Sequence, residues 1–162
     1  MKQFGLLAII FSLLLGGCGF QMRGDWQLPS SIQQTVMSGG NQTLYDTLQR
    51  EFSAGSASLT RPQGNIQSAH LIILQDLMDK RVLSVDNRGK VIEYEIYYLM
   101  SFKLLDEKGN QVMPVQQINM TRDYPFAATD VLGAGQEELL LRNDMYRDMA
   151  RQMMRRIQAQ AK

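Results

Sequence analysis

The chain has 162 residues, with 17 Lys and Arg against 16 Asp and Glu and a formal net charge of +1. A chain this close to neutral has no overall charge with which to hold a nucleic acid, so any anion recognition has to come from a local cluster. Cys18 is its only cysteine and His70 its only histidine, which excludes an intrachain disulfide and the usual cysteine–histidine zinc sites.

The N-terminal stretch reads as an export signal. Lys2 supplies a basic start, and Phe4 to Leu15 is a nearly unbroken apolar run, long enough for a signal-peptide core and short of the ~20 residues that span a bilayer. Leu15-Gly16-Gly17-Cys18 follows and resembles a bacterial lipobox. The resemblance implies cleavage before Cys18, a diacylglycerol on its thiol and an acyl chain on the new amine, with no other cofactor. One chain binds only marginally, at ~0.8 kcal/mol per buried CH₂, whereas three make a lasting anchor. Gly19 stands where enterobacterial sorting rules place an Asp to retain a lipoprotein in the inner membrane, so by that resemblance the outer membrane is favoured. The competing reading is a short N-terminal helix or single-span anchor with Cys18 a buried thiol.

The expected organisation is therefore a leader over 1–17, a lipidated tether over 18–30 and one domain over 31–160. Removing 17 residues from 162 leaves 145, enough for a real core, since a chain of about 150 residues buries roughly 68–70% of its unfolded surface. Lys2 leaves with the leader, so 16 basic residues face 16 acidic ones. Eleven methionines offer flexible core filling or adaptable apolar contact.

Trp26, with Phe20 before it, either lies at the membrane interface or covers an edge of the domain. Ile32 to Met37 is a weak strand. Asn41 caps a helix carrying Leu44, Leu48 and Phe52 at i, i+4, i+8, which ends at Ala54-Gly55. Ser56 to Ser68 reads as a polar loop. Leu71 to Leu74 is a strand covered on both faces, continuing with weaker patterning through Leu77 to Val85. Asp86-Asn87-Arg88-Gly89 is turn chemistry. The clearest strand follows, with Ile92, Tyr94, Ile96, Tyr98, Met100, Phe102 and Leu104 at period two and Glu93, Glu95, Tyr97, Leu99, Ser101 and Lys103 on the other face. A second turn spans Asp106 to Asn110, and Val112 to Tyr124 returns, with Pro114 marking either an edge strand or a late start to pairing. Asp123 to Gly135 reads as irregular. A helix of about Gln136 to Gln158 closes the chain, with a broad apolar stripe and Glu137 and Glu138 at its start. The order β-α-β-β-β-α predicts an α/β (α+β) sandwich, two helices on one face of a four-stranded mixed sheet.

The sequence holds little that points to catalysis. It has no G-x-S-x-G, no H-E-x-x-H and no Walker loop, so a non-enzymatic role is expected. Glu93 and Glu95 share a strand face, and His70 precedes an apolar strand without evident partners. Gly133-Ala134-Gly135 opens the last helix, but Glu137 and Glu138 would repel an anion there. The candidate anion site is basic: Lys80, Arg81, Arg88 and Lys90 flank the Asp86–Gly89 turn. If Val82 and Val91 pair, all four sit within one short reach, beside the apolar area of Tyr97 and Leu99. That suits either a phosphorylated glycolipid or an ordinary solvated hairpin tip.

Cys18-Gly19-Phe20-Gln21-Met22-Arg23-Gly24 and Leu28-Pro29, with Arg88-Gly89-x-x-x-Glu93-Tyr94 and Asp144-Met145-Tyr146, resemble in order and spacing the LptE family of lipopolysaccharide-assembly outer-membrane lipoproteins. The resemblance covers the chain essentially end to end. It implies two helices on a four-stranded sheet and a non-enzymatic plug inside the large outer-membrane β-barrel protein LptD. It also implies support of that barrel's assembly and binding of lipopolysaccharide on its way to the outer leaflet. The family's basic hairpin-turn position is met here by Arg88 or by Asn87, with Lys90 close by. Its basic loop before the last helix is not met, since Phe126 to Gln136 contains no Lys or Arg. Tyr124, Pro125, Phe126 and Leu132 are instead candidates for apolar contact with a barrel wall, together with Tyr97 and Leu99. The expected partners are LptD, lipopolysaccharide and the outer-membrane bilayer, with no nucleic acid. The placement is lipid-anchored, facing the periplasm and within the barrel lumen. The main alternative is a free periplasm-facing lipid-binding or chaperone lipoprotein without a dedicated barrel. A more distant one is an anchored hydrolase using Glu93, Glu95 or His70.

Overall fold

The structure, a computed structural model, describes residues 26–63, 68–127 and 131–160, without the side chains of 131 and 132. The leader, Cys18, Phe20 and the Cys18–Gly24 motif lie outside the described residues, as does the side chain of Leu132.

A short 3-10 turn at Ser30–Ile32 leads into strand β1 (Gln34–Ser38), helix α1 (Gln42–Ala54), and strands β2 (Ser58–Thr60), β3 (Ala69–Val85), β4 (Val91–Leu105) and β5 (Gln111–Pro125). Helix α2 (Val131–Gln160) closes the chain. The strands form one mixed sheet in the order β2-β1-β3-β4-β5. β1 is parallel to β2 and β3, and β3-β4-β5 is an antiparallel meander.

The sheet therefore has five strands rather than four. The extra one, Ser58–Thr60, buries Leu59 between two exposed neighbours. Three residues inside a polar stretch are too few to show alternation, so the tertiary pairing to β1 decides. The last helix also starts earlier than its stripe suggests, at Val131. Gly133 and Gly135 lie inside it, and Glu137 and Glu138 sit well past its first turn.

β3 is unusually long, and a bulge between Ile73 and Gln75 explains its weak patterning. Before the bulge, Leu71 and Ile73 pair with Leu104 and Phe102; after it, Asp76, Met78 and Lys80 pair with Met100, Tyr98 and Ile96. One extra residue switches the covered face from odd to even positions, and a strict period-two search loses the strand there.

Both helices cover the face carrying Ile96, Tyr98, Met100, Phe102 and Leu104, all at most 1% exposed. Asn41 caps α1, its side-chain oxygen accepting from the Leu44 amide at 2.9 Å, and Leu44, Leu48 and Phe52 are fully buried. α2 contributes Met145, Met149, Met153, Met154 and Ile157, also fully buried; unbranched methionines fill the uneven surface between helix and twisted sheet. Gly39 has φ +79°, and a Cβ there would lie 2.5 Å from the Ile73 carbonyl oxygen, so the turn out of β1 needs glycine.

A polar knot fastens these layers. Asp76 of β3 accepts from the Asn41 amide at 2.7 Å and from the Tyr98 hydroxyl at 2.8 Å, while the Asn41 side chain donates to the Tyr146 hydroxyl at 2.8 Å. Burial first and then the Asp76 charge push the Tyr98 hydroxyl's pKa well up, so it stays a donor. Trp26 resolves to the edge-covering alternative: it packs against the core and its indole donates to Glu51 at 2.9 Å.

Candidate functional site: the distal β3–β4 hairpin

Three elements meet where the hairpin passes the start of α2. Glu138 of α2 accepts from the Lys80 ammonium at 2.6 Å, the Tyr124 hydroxyl at 2.7 Å and the Arg142 guanidinium at 2.8 Å. Partial burial pushes its carboxyl up, but the bonds from Lys80, Tyr124 and Arg142 outweigh that and hold it at about 2. The Lys80 ammonium in turn is pushed above its ordinary value, first by its bond to Glu138. It also sits 5.0 Å from the centre of the Tyr94 ring, which stacks on Tyr124 and meets Phe126 edge-on. This clamp ties β3, β5 and α2 together.

Beyond the clamp the hairpin continues without helical cover. Val82, Leu83, Val85 and Ile92 are 44–51% exposed; β5 still pairs with β4 as far as Glu93, and past it the hairpin runs on as two strands to Val85 and Val91. Its tip is an Asx-type turn. The Asp86 carboxylate accepts from the amides of Arg88 at 2.8 Å and Lys90 at 2.9 Å, and from the Arg88 guanidinium at 3.1 Å. The Lys90 amide first and then that of Arg88 hold the Asp86 carboxyl below the ordinary range. Gly89 takes the positive φ that the turn demands. Asn87, Arg88 and Lys90 are exposed, and the Lys90 ammonium has no partner among the described residues.

The four cations are not gathered at one point. Val82 pairs with Tyr94, and the strands continue three residues further to Val85, which closes on Val91, so the expected Val82–Val91 pairing does not form. Lys80 sits opposite Ile96, about 17 Å along the strand from the turn, and is spent on Glu138. Arg81 points to the other face, where it pairs with Glu95 at 2.5 Å and lies over Tyr97. Only Arg88 and Lys90, with Asn87 between Asp86 and Arg88, form the tip.

The apolar candidates also divide. Tyr97 and Leu99 are half-buried on the helix-free face, where they pair with Asp79 and Leu77. Tyr124 is 2% exposed and its hydroxyl is committed to Glu138; it is core rather than surface. Pro125 is exposed and Phe126 half-buried, its amide donating to the Ile92 carbonyl at 2.8 Å.

For the hydrolase reading, Glu93 accepts from Ser84 and Glu95 is held by Arg81, while His70 lies far down β3 opposite Leu105. The two carboxylates do share a face, but each already has its own partner. A cleft of about 230 Å³ elsewhere is lined by Ser30, Ser31, Gln33, Gln34, Ser68 and Glu107, with no nucleophile–base pair in it. Among the described residues no cluster of three metal-ligating side chains occurs, and no helix is long and apolar enough to cross a membrane. The Glu138 clamp and the uncovered apolar ribbon escaped sequence reasoning. Their only sequence signal was the excess length of the strand pattern over the helix that could cover it.

A family model described as LptE, lipopolysaccharide-assembly, matches residues 27–157. The chain is 23% identical over 161 residues to the LPS-assembly lipoprotein LptE of Pectobacterium atrosepticum, covering 96% of this chain and 85% of that one. The counterpart from Yersinia enterocolitica is 21% identical, over 94% of this chain and 73% of that one. Among solved structures, lipoprotein B of Nitrosomonas europaea superposes with a TM-score of 0.71 at 29% identity, covering 87% of this chain and 91% of that one. A minor lipoprotein of Acinetobacter baumannii gives 0.64 at 21% identity over 82% and 93%, and shares the fold.

Proposed function

The chain belongs to the LptE family of lipopolysaccharide-assembly lipoproteins, and from that premise we propose that it is a lipid-anchored subunit seated in the lumen of the LptD β-barrel. There it supports assembly of the barrel and presents the β3–β4 hairpin to lipopolysaccharide. The family's role is non-catalytic. Cys18 carries the acyl chains, and the domain is held by a short tether at the membrane that the barrel spans.

The observation that carries this reading is the family match, which runs unbroken from the tether through the hairpin to the last helix. The site's chemistry supports it. Arg88 and Lys90 offer a forked and a point cation for phosphate groups. Val82, Val85 and Ile92 offer apolar area just behind them, so charge and grease follow each other as they do in a phosphorylated glycolipid. Tyr97, Leu99, Pro125 and Phe126 are the candidates for the barrel wall.

The test is recovery of partners from detergent-solubilised outer membrane. Affinity capture of the lipidated chain should bring down one large β-barrel protein in constant ratio. Repeated recovery of the lipoprotein alone, or depletion that impairs many barrels alike, would instead make it a free chaperone. Photocrosslinkers along 82–100 and 123–136 would then report which strand faces touch the barrel.

A further inference from the structure

The last four turns of α2 carry a charge pattern that the hairpin site does not use. Arg147, Arg151 and Arg155 recur every four residues and are all exposed, while the opposite side of the helix is the fully buried Met149, Met153 and Ile157. They form a ridge facing away from the core. Between residues 143 and 160, four arginines face two aspartates. Arg122 of β5 leans in to share Asp148 with Arg151, at 2.9 and 2.5 Å. Arg147 has Asp144 at 3.1 Å; Arg155 has no acidic partner among the described residues. Chain 18–162 balances 16 basic against 16 acidic residues, so this excess is a local feature rather than a reflection of overall charge. The aspartate pairs are mostly exposed, and exposed pairs are weak enough to exchange partners.

The ridge has a definite place. α1 and α2 run side by side in the same direction. Asn41 at the start of α1 meets Tyr146, and Arg156 reaches the Gln117 carbonyl at 2.8 Å. α1 ends at Gly55 against Trp26, and Gln34 and Ala69 lie at that same end of the sheet. The basic end of α2 therefore lies at the end where the tether enters, opposite the hairpin tip. Cys18 is eight residues before Trp26, a reach of at most ~28 Å, so an anchored domain holds this end close to the leaflet.

We infer that the ridge Arg147-Arg151-Arg155 is a docking surface for the phosphate headgroups of anionic phospholipids in the leaflet that holds the anchor. It lays α2 along the membrane before a barrel takes the domain up. The acyl anchor fixes attachment, and a basic patch beside it adds orientation. The inference rests on the acylation of Cys18 proposed above.

With Cys18 consumed by the anchor, Ala159→Cys gives a single labelling site for a fluorophore near the end of α2. The lipidated chain is loaded on phosphatidylcholine vesicles with or without one-third phosphatidylglycerol, and quenching by headgroup-labelled lipid is read. The expected result is strong quenching only with phosphatidylglycerol. Molar salt should abolish it, Arg147→Gln/Arg151→Gln/Arg155→Gln should lower it about tenfold or more in lipid concentration, and the corresponding triple Lys variant should retain it. Thermal melts of all three proteins check that the helix stays folded. Quenching indifferent to anionic lipid, or unchanged in the Gln variant, overturns the inference. So does a Gln variant with normal quenching that no longer recovers the barrel, because the ridge's partner is then a protein wall. A chain that fails to load even on neutral vesicles refutes the anchor, and this inference with it.

Discussion

The two halves of the β3–β4 hairpin share one continuous backbone but differ in what they touch. In the half near the base, Tyr98, Met100, Phe102 and Leu104 are at most 1% exposed beneath two helices. In the distal half, Val82, Leu83, Val85 and Ile92 have similar chemistry but stay about half exposed. The Glu138 clamp marks the boundary. The difference separates stability from contact: burial at the base holds the fold, while the distal ribbon keeps its apolar area available for a partner or ligand.

The sharpest way to break that contrast is to truncate one side chain in each half. Phe102→Ala should destabilise the domain by ~3–5 kcal/mol, as expected for a fully buried aromatic. Val82→Ala and Ile92→Ala should each cost under ~1 kcal/mol, because little area returns to water. Urea unfolding of the three variants measures this directly. Equal losses would mean that the distal ribbon is part of the core.

The boundary itself comes next. Glu138→Gln keeps the shape and removes the charge that Lys80, Tyr124 and Arg142 converge on, which should cost ~2 kcal/mol near neutral pH. The sign of its pH dependence follows from a folded-state carboxyl at about 2 against an ordinary 4.5. The unfolded chain binds the proton first on acidification. The clamp's contribution is therefore complete above 4.5, falls as pH drops toward 2, and is gone below it. Parent and variant should converge in stability across that window.

A milder break lies at the far side of the base. Asn41 caps α1 through Leu44 and reaches Tyr146 of α2. Asn41→Ala should cost about 1–2 kcal/mol, while Asn41→Asp, which keeps the cap and exchanges a donor for a charge near Asp76, should recover only part of it. Thermal melts distinguish the two. Full recovery would show that the cap alone matters.

What the sequence revealed follows the same division. The base was legible because period-two and period-3.6 patterns record burial, and burial is complete there; Leu44, Leu48, Phe52 and the β4 run were read directly. β2 was missed because three residues carry no period, and β3 faded because the bulge at Leu74 shifts its phase. At the hairpin, Arg88 and Lys90 were correctly placed by the Asp86–Gly89 turn chemistry. Lys80 and Arg81 do not join them, since adjacent strand residues point to opposite faces and the strands run on three residues beyond the Val82–Tyr94 pair before the turn. The clamp depends on residues from β3, β5 and α2 separated by up to 62 positions, Lys80 to Arg142, and no local pattern encodes such a meeting.

The smallest expected effect on the fold is at the tip, and that is what makes it the best probe of function. The turn is closed by the Asp86 carboxylate on two backbone amides and by Gly89, so it does not depend on which side chains follow at 88 and 90. Arg88 adds only an exposed pair to Asp86, with 73% of its side chain open to solvent. Arg88→Glu with Lys90→Glu should therefore shift unfolding by less than ~0.5 kcal/mol and leave barrel recovery intact. Binding of purified lipopolysaccharide should nevertheless weaken, because two cations become two anions facing phosphate. The comparison belongs in low salt, where the loss should be largest, since screening acts over ~8 Å at physiological ionic strength. Unchanged binding in low salt would remove the tip from the glycolipid site and leave the apolar ribbon behind it as the remaining contact.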